Sequence, residues 1–121
     1  MIDWDRVADL RAEIGAADFA EVADMFLEEA EEVVARLDTG MPGPGLEAEL
    51  HFLKGSALNL GFDQLAALCH DGEKLASNGG TVDLALVIER YRASRTAFEA
   101  GLADCWARAG QAPDRAASGL P

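Results

Sequence analysis

Between residues 46 and 60 the apolar side chains recur at steps of four, three, four and three: Leu46, Leu50, Leu53, Ala57 and Leu60. At about 100° per residue, an α-helix brings these positions onto one narrow stripe of the kind that faces a core. A segment of this type buries its stripe only against other segments, so the rest of the chain has to supply them. Residues 17–38 carry a second stripe, Phe19, Val22, Phe26, Ala30, Val33 and Leu37. Residues 62–77 carry a third, Leu65, Leu68, Cys69, Gly72 and Ala76, and residues 81–108 a fourth, Leu84, Val87, Tyr91, Ser94, Phe98, Leu102 and Cys105. Few residues are β-branched, which favours helix over sheet.

The punctuation agrees with the stripes. Asp3 is placed to cap a short first helix over residues 3–14, which Gly15 ends. Asp18, with Glu21 three residues on, reads as a capping box for the second helix. Residues 39–45, Thr-Gly-Met-Pro-Gly-Pro-Gly, stop that helix and suit the turn of an antiparallel hairpin. Gly61 is a natural C-terminal residue for the third helix, residues 77–80 form a turn, and Thr81 is the expected cap of the last helix. Gly101 is expected to bend that helix slightly. These elements predict an all-α fold: an antiparallel up-down-up-down four-helix bundle with a short additional N-terminal helix covering one end. The folded domain is expected over residues 1–109. Residues 110–121, rich in Ala, Gly, Ser, Pro and Asp, read as a weakly structured C-terminal tail.

Charge narrows the function classes. The formal net charge is −12, so nucleic acid and anionic membrane surfaces repel the chain. No apolar run approaches the ~20 residues needed to cross a bilayer, and the start lacks a signal-peptide pattern. A cytoplasmic location is expected. Cys69 and Cys105 fall at or beside apolar stripes and read as buried, reduced thiols. The acidic residues of 17–38 read as a solvated face, and Arg90, Arg92 and Arg95 as its ion-pair partners. Carboxylates one turn apart on a helix lack converging ligands, so no metal is expected. The Gly-rich turn lacks the Lys-Ser/Thr and the preceding strand of a P-loop.

One residue stands against the stripe of residues 46–60. His51 points away from it, with Lys54 and Gly55 one turn above. A neutral imidazole nitrogen can attack phosphorus without a base to activate it. Lys54 can set an ammonium beside phosphate oxygens, and it is one of only two lysines in the chain. Gly55 leaves a gap for a partner to approach, in a position where glycine costs roughly 1 kcal/mol against alanine. Ser56 reads as a local backbone partner and His70 as a surface histidine without a Lys-Gly neighbour.

The string His51-x-x-Lys54-Gly55-Ser56-Ala57-x-Asn59-Leu60-Gly61, followed by Leu65, Cys69 and Glu73, resembles the signature of histidine-containing phosphotransfer (HPt) domains. The match is dense over residues 51–73, and a looser helical pattern extends it over residues 3–108. The resemblance implies a phosphorelay carrier in which His51 accepts a phosphoryl group, at its distal Nε2, from one receiver-domain aspartate and passes it to another. Lys54 would screen the phosphoryl charge. Glu47, Ala48, Gly55, Leu58 and Asn59 would form the access and docking surface. Leu58 lies about 20° from His51 on the wheel and is a departure from the small residue common there. Glu73 is expected in a structural or flanking role. The implied partners are response-regulator receiver domains and a (hybrid) histidine kinase. The Mg²⁺ of the reaction belongs to the receiver, so no cofactor is expected, and the chain is a carrier without turnover of its own. A monomer is expected.

Two other readings are distinguishable. The phosphoacceptor domain of a chemotaxis-type histidine kinase takes its phosphoryl group directly from a kinase domain. The start at Met1 and the end 60 residues past Gly61 favour a stand-alone carrier over it. A helical bundle used only as a binding scaffold has no use for the histidine.

Overall fold

The computed structural model describes the backbone of residues 1–39 and 43–111, and the side chains of 1–39 and 45–103. Five helices follow one another: α1 (Trp4–Ile14), α2 (Ala16–Leu37), α3 (Gly43–Leu60), α4 (Asp63–Ser77) and α5 (Leu84–Gln111). Helices α2, α3, α4 and α5 pack in a ring in that order, and α1 lies against α2 and α3. Arg36, at the end of α2, pairs with Glu49, near the start of α3, which makes the two antiparallel. Among the described residues the backbone forms no strand, only an isolated bridge between Ile2 and Phe62.

The stripe of α3 is buried throughout: Leu50 and Leu53 are fully enclosed, with Leu46, Ala57 and Leu60 beside them. Phe19, Phe62, Leu65, Cys69, Tyr91 and Phe98 complete the centre of the core. Phe98 meets Phe62 edge-on with centroids 5.5 Å apart, a favoured arrangement for aromatic rings. Cys69 is a free, buried thiol, and burial together with the charge of Glu73 pushes it up to about 12. Cys105 lies outside the residues with described side chains.

Several local expectations are corrected. The buried ladder of α2 is Phe19, Ala23, Leu27, Ala30, Val33, Val34 and Leu37, while Val22 and Phe26 are only half-buried. The reason is that α2 is flanked by α3 on one side and α5 on the other, so its buried arc is wider than a single stripe. Asp18 does not cap α2. That helix starts at Ala16, directly after Gly15, with no side-chain cap bond, and Asp18 sits in its first turn, where a negative charge suits the dipole. Thr81 does not cap α5 either: Asp83 precedes the helix and accepts from the Leu86 N–H at 3.1 Å. The expected cap Asp3 does accept from the Arg6 N–H. On α4, Ala66 is buried while Leu68 and Ala76 are half-buried, and α5 runs past residue 108 to Gln111.

α1 covers the end of the bundle where α3 passes into α4. The Asp3 N–H donates to the Gly61 carbonyl at 2.7 Å, and Trp4 stacks on Phe98 with centroids 6.1 Å apart. Gly61 has φ +74°, a left-handed conformation that disfavours any side chain, and a Cβ there would stand 2.5 Å from the Asp3 carbonyl oxygen. Gly101 allows Trp4 to lie directly on α5: a Cβ there would run into the indole ring.

Candidate functional site

The buried stripe fixes the rotation of α3 about its axis. With Leu50 and Leu53 locked in the core, the intervening His51 and Phe52 must emerge, and the His51 side chain is 71% exposed. Glu47, Ala48 and Leu58 are exposed along the same face. Lys54 and Gly55, one turn on, are half-buried.

Helix α4 brings a carboxylate to this face. His51 Nδ1 and Glu73 Oε1 are 2.8 Å apart, and the other carboxylate oxygen, Oε2, lies 2.7 Å from Lys54 Nζ. The residue before Glu73 makes that reach possible. A Cβ on Gly72 would meet Leu50 Cδ1 at 2.9 Å and Val82 Cγ1 at 3.3 Å, so a methyl there would press on the Leu50 side chain that packs between α3 and α4. Burial raises the Glu73 carboxyl, but the bonds from Lys54 and His51 outweigh it and hold the group below the usual carboxylate range. Glu73 is therefore ionised near neutral pH and can only accept. His51 must donate from Nδ1, which leaves Nε2 without a proton in the neutral ring and turned to solvent.

The sequence brought Glu73 into the motif with a structural or flanking role expected for it. The structure makes it the shared partner of His51 and Lys54. The signal was spacing across two antiparallel helices, which no single helical wheel displays. Lys54 lies one helical turn from His51, and its ammonium is bound to Glu73.

Gly55 has open space around it: a Cβ would meet no atom within 4 Å. Among the described residues, nothing calls for a glycine there. Asn59 is engaged at both ends, its Nδ2 donating to the Gly55 carbonyl at 3.0 Å and its Oδ1 accepting from Arg6 at 2.9 Å. Arg6 thus ties α1 to the site helix. Leu58 is 54% exposed, and Phe52, which the sequence analysis did not single out, is 49% exposed. Phe52 lies on the other side of His51 from Leu58, outside the buried stripe. A shallow apolar groove between α3 and α4 is lined by Lys54, Leu58, Asp63, Ala66, Ala67 and His70, and His70 is exposed there.

Away from this face, Glu31 accepts from the Tyr91 hydroxyl at 2.6 Å and from Arg95 at 2.7 Å; of the basic patch expected to pair with α2, Arg95 does so, whereas Arg90 donates to Gln64 of α4 at 2.9 Å. Among the described residues, no three His, Cys, Asp or Glu side chains converge as a metal site, and no helix is long and apolar enough to cross a membrane.

The family model described as the Hpt domain matches residues 21–112, which takes in α3, α4, α5 and most of α2. No curated protein and no solved structure matches the chain. The family match, spanning most of the chain and containing the whole His51-Lys54-Glu73 face, places this protein in the Hpt domain family.

Proposed function

We propose that His51 is the phosphoacceptor and that the chain shuttles a phosphoryl group between aspartates of receiver domains. Hpt domains are phosphocarrier modules of phosphorelays and interact with receiver domains and histidine kinases. The observation that carries the assignment to His51 is its Nδ1 bond to an ionised carboxylate, which presents Nε2 to solvent as a free nucleophile.

The chemistry follows from that bond. A receiver docks with its aspartyl phosphate opposite His51. The Nε2 lone pair forms a bond to phosphorus while the bond from phosphorus to the bridging carboxyl oxygen breaks, and the aspartate leaves as a carboxylate with the electron pair. The imidazole becomes an N-phosphoimidazolium whose Nδ1 keeps its proton and donates it in a hydrogen bond to Glu73. Reversing the steps on a second receiver returns the lone pair to Nε2. Lys54, one turn from His51, supplies positive charge beside the phosphoryl oxygens as the group arrives. The Gly55 gap and the apolar side chains of Leu58 and Phe52 receive the partner, with Glu47 and Ala48 at the margin and Asn59 held in place by Arg6. A cytoplasmic, monomeric carrier meets receivers transiently by this one face.

The experiment is phosphoryl transfer from a panel of phosphorylated receivers to the wild type and to His51→Gln. Acid-labile, alkali-stable label on the wild type alone supports the assignment. Label retained by a folded His51→Gln protein transfers the role to another residue, His70 first. Label that arrives only from a kinase with ATP supports the chemotaxis-type reading instead.

A further inference from the structure

We infer that Glu73 keeps the phosphorylated His51 ring cationic, and that this keeps the phosphoryl group transferable to an aspartate. The inference rests on the phosphoacceptor role proposed for His51 and concerns the state after transfer.

Attack by Nε2 leaves a positive charge on the ring as long as Nδ1 keeps its proton. What happens to that proton decides how readily the P–N bond breaks. From the cationic ring the leaving group is neutral imidazole. From a ring that has lost its Nδ1 proton, the leaving group is imidazolate, a far stronger base and a much poorer leaving group. A phosphohistidine that surrenders its proton to solvent therefore holds its phosphoryl group rather than passing it on.

The charges around the ring favour retention. From α4, Glu73 Oε1 stands 2.8 Å from Nδ1, the atom that carries the proton. From α3, Lys54 opposes a second positive charge, but its ammonium is 2.7 Å from the other oxygen of the same carboxylate. Glu47 adds a negative charge on the exposed face one turn before, and His70 lies one turn before Glu73 on α4. On two other helices packed against α3, Arg36 of α2 is paired with Glu49, and Arg6 of α1 with Asn59 and Glu13. An opposite charge in direct contact favours the charged form of its partner. No proton then enters or leaves solvent in either direction of transfer. Glu73 acts through His51 and does not touch the phosphoryl group, so it is a positioning residue.

The test compares the wild type with Glu73→Gln and Glu73→Ala. Gln keeps an oxygen that accepts from Nδ1 and loses only the charge, whereas Ala loses both. The full chain is phosphorylated with phosphoramidate, and loss of the phosphohistidine ³¹P signal is followed from pH 6 to pH 9. Donation to a receiver is timed on the same samples. Near pH 8 both variants should lose and donate the group about three- to tenfold more slowly than the wild type. The pH at which loss slows should fall by about half a unit to one unit, a shift tempered by the exposure of the ring. A folded Glu73→Gln protein with the wild-type pH profile and donation rate overturns the inference and reduces Glu73 to a geometric support. A wild type that takes no label on His51 refutes instead the phosphoacceptor role on which the inference rests.

Discussion

Gly55→Ala separates two explanations of the mid-helix glycine that predict opposite signs of effect. If Gly55 served packing, as Gly72 does, a methyl group would strain the fold. The structure leaves a Cβ at residue 55 with no atom within 4 Å, on a helical backbone outside the left-handed region. The substitution then removes only the entropic and solvation penalty of glycine in a helix interior. That is worth about 0.5–1 kcal/mol in favour of the variant. For a domain of this size it raises Tm by a few degrees. Phosphotransfer should move the other way. The methyl lies one turn from His51 on the face where a receiver must bring its aspartyl phosphate. A displacement near 1 Å of reacting groups can cost on the order of 10²-fold in rate. Thermal melts and stopped-time transfer from a phosphorylated receiver, on the same preparation, read both effects. A variant that melts lower than the wild type, or one that is stabilised yet transfers at full rate, refutes the argument that Gly55 is kept open for a partner.

The docking face gives a second prediction. Leu58→Ser and Phe52→Ser should each raise the KM for a phosphorylated receiver about tenfold while changing stability by no more than about 0.5 kcal/mol, since both side chains are half exposed; unchanged KM values would remove these residues from the interface. A third concerns acid. The Tyr91 hydroxyl bond, with Arg95 and against the opposing effect of burial, holds Glu31 below its ordinary value of 4.5. A depressed carboxylate contributes stability above its unfolded value and loses it as pH falls through the folded one. Tyr91→Phe should therefore cost about 0.5–1.5 kcal/mol at pH 7 in denaturant titration, and the gap to the wild type should narrow as Glu31 protonates. A gap that stays constant to pH 2 would assign the cost to packing alone.

The fold was legible wherever one helix faced one core. The stripe Leu46, Leu50, Leu53, Ala57 and Leu60 is buried as its spacing predicts, which places His51 outside. Helix α2 was read less well because it touches neighbours on two sides, so Ala23, Leu27 and Val34 are buried at positions a single-stripe reading passes over. Helix starts depended on tertiary detail. Gly15 lets α2 follow α1 without a linker, which moves Asp18 from the cap into the first turn, and the extended residues before α5 make Asp83 the cap in place of Thr81. The candidate site shows the same division. His51, Lys54 and Gly55 share one helix and were visible as a face. The two oxygens of Glu73, one on His51 and one on Lys54, depend on how closely α4 approaches α3 at Gly72, and periodicity along one helix carries no information on that distance. Phe52 falls outside the stripe by its spacing, but spacing alone did not mark its half-exposed ring as a docking contact.

The central claim is that the phosphoryl group sits on Nε2 of His51 while Nδ1 keeps its proton against Glu73. Long-range ¹H–¹⁵N correlation spectra of uniformly ¹⁵N-labelled protein, recorded before and after phosphorylation by a receiver, measure both nitrogens directly. The account predicts that only the His51 ring changes, with the phosphorylated signature at Nε2 and a protonated Nδ1 in both states. Phosphorylation at Nδ1, or a changed His70 ring with His51 untouched, would contradict it.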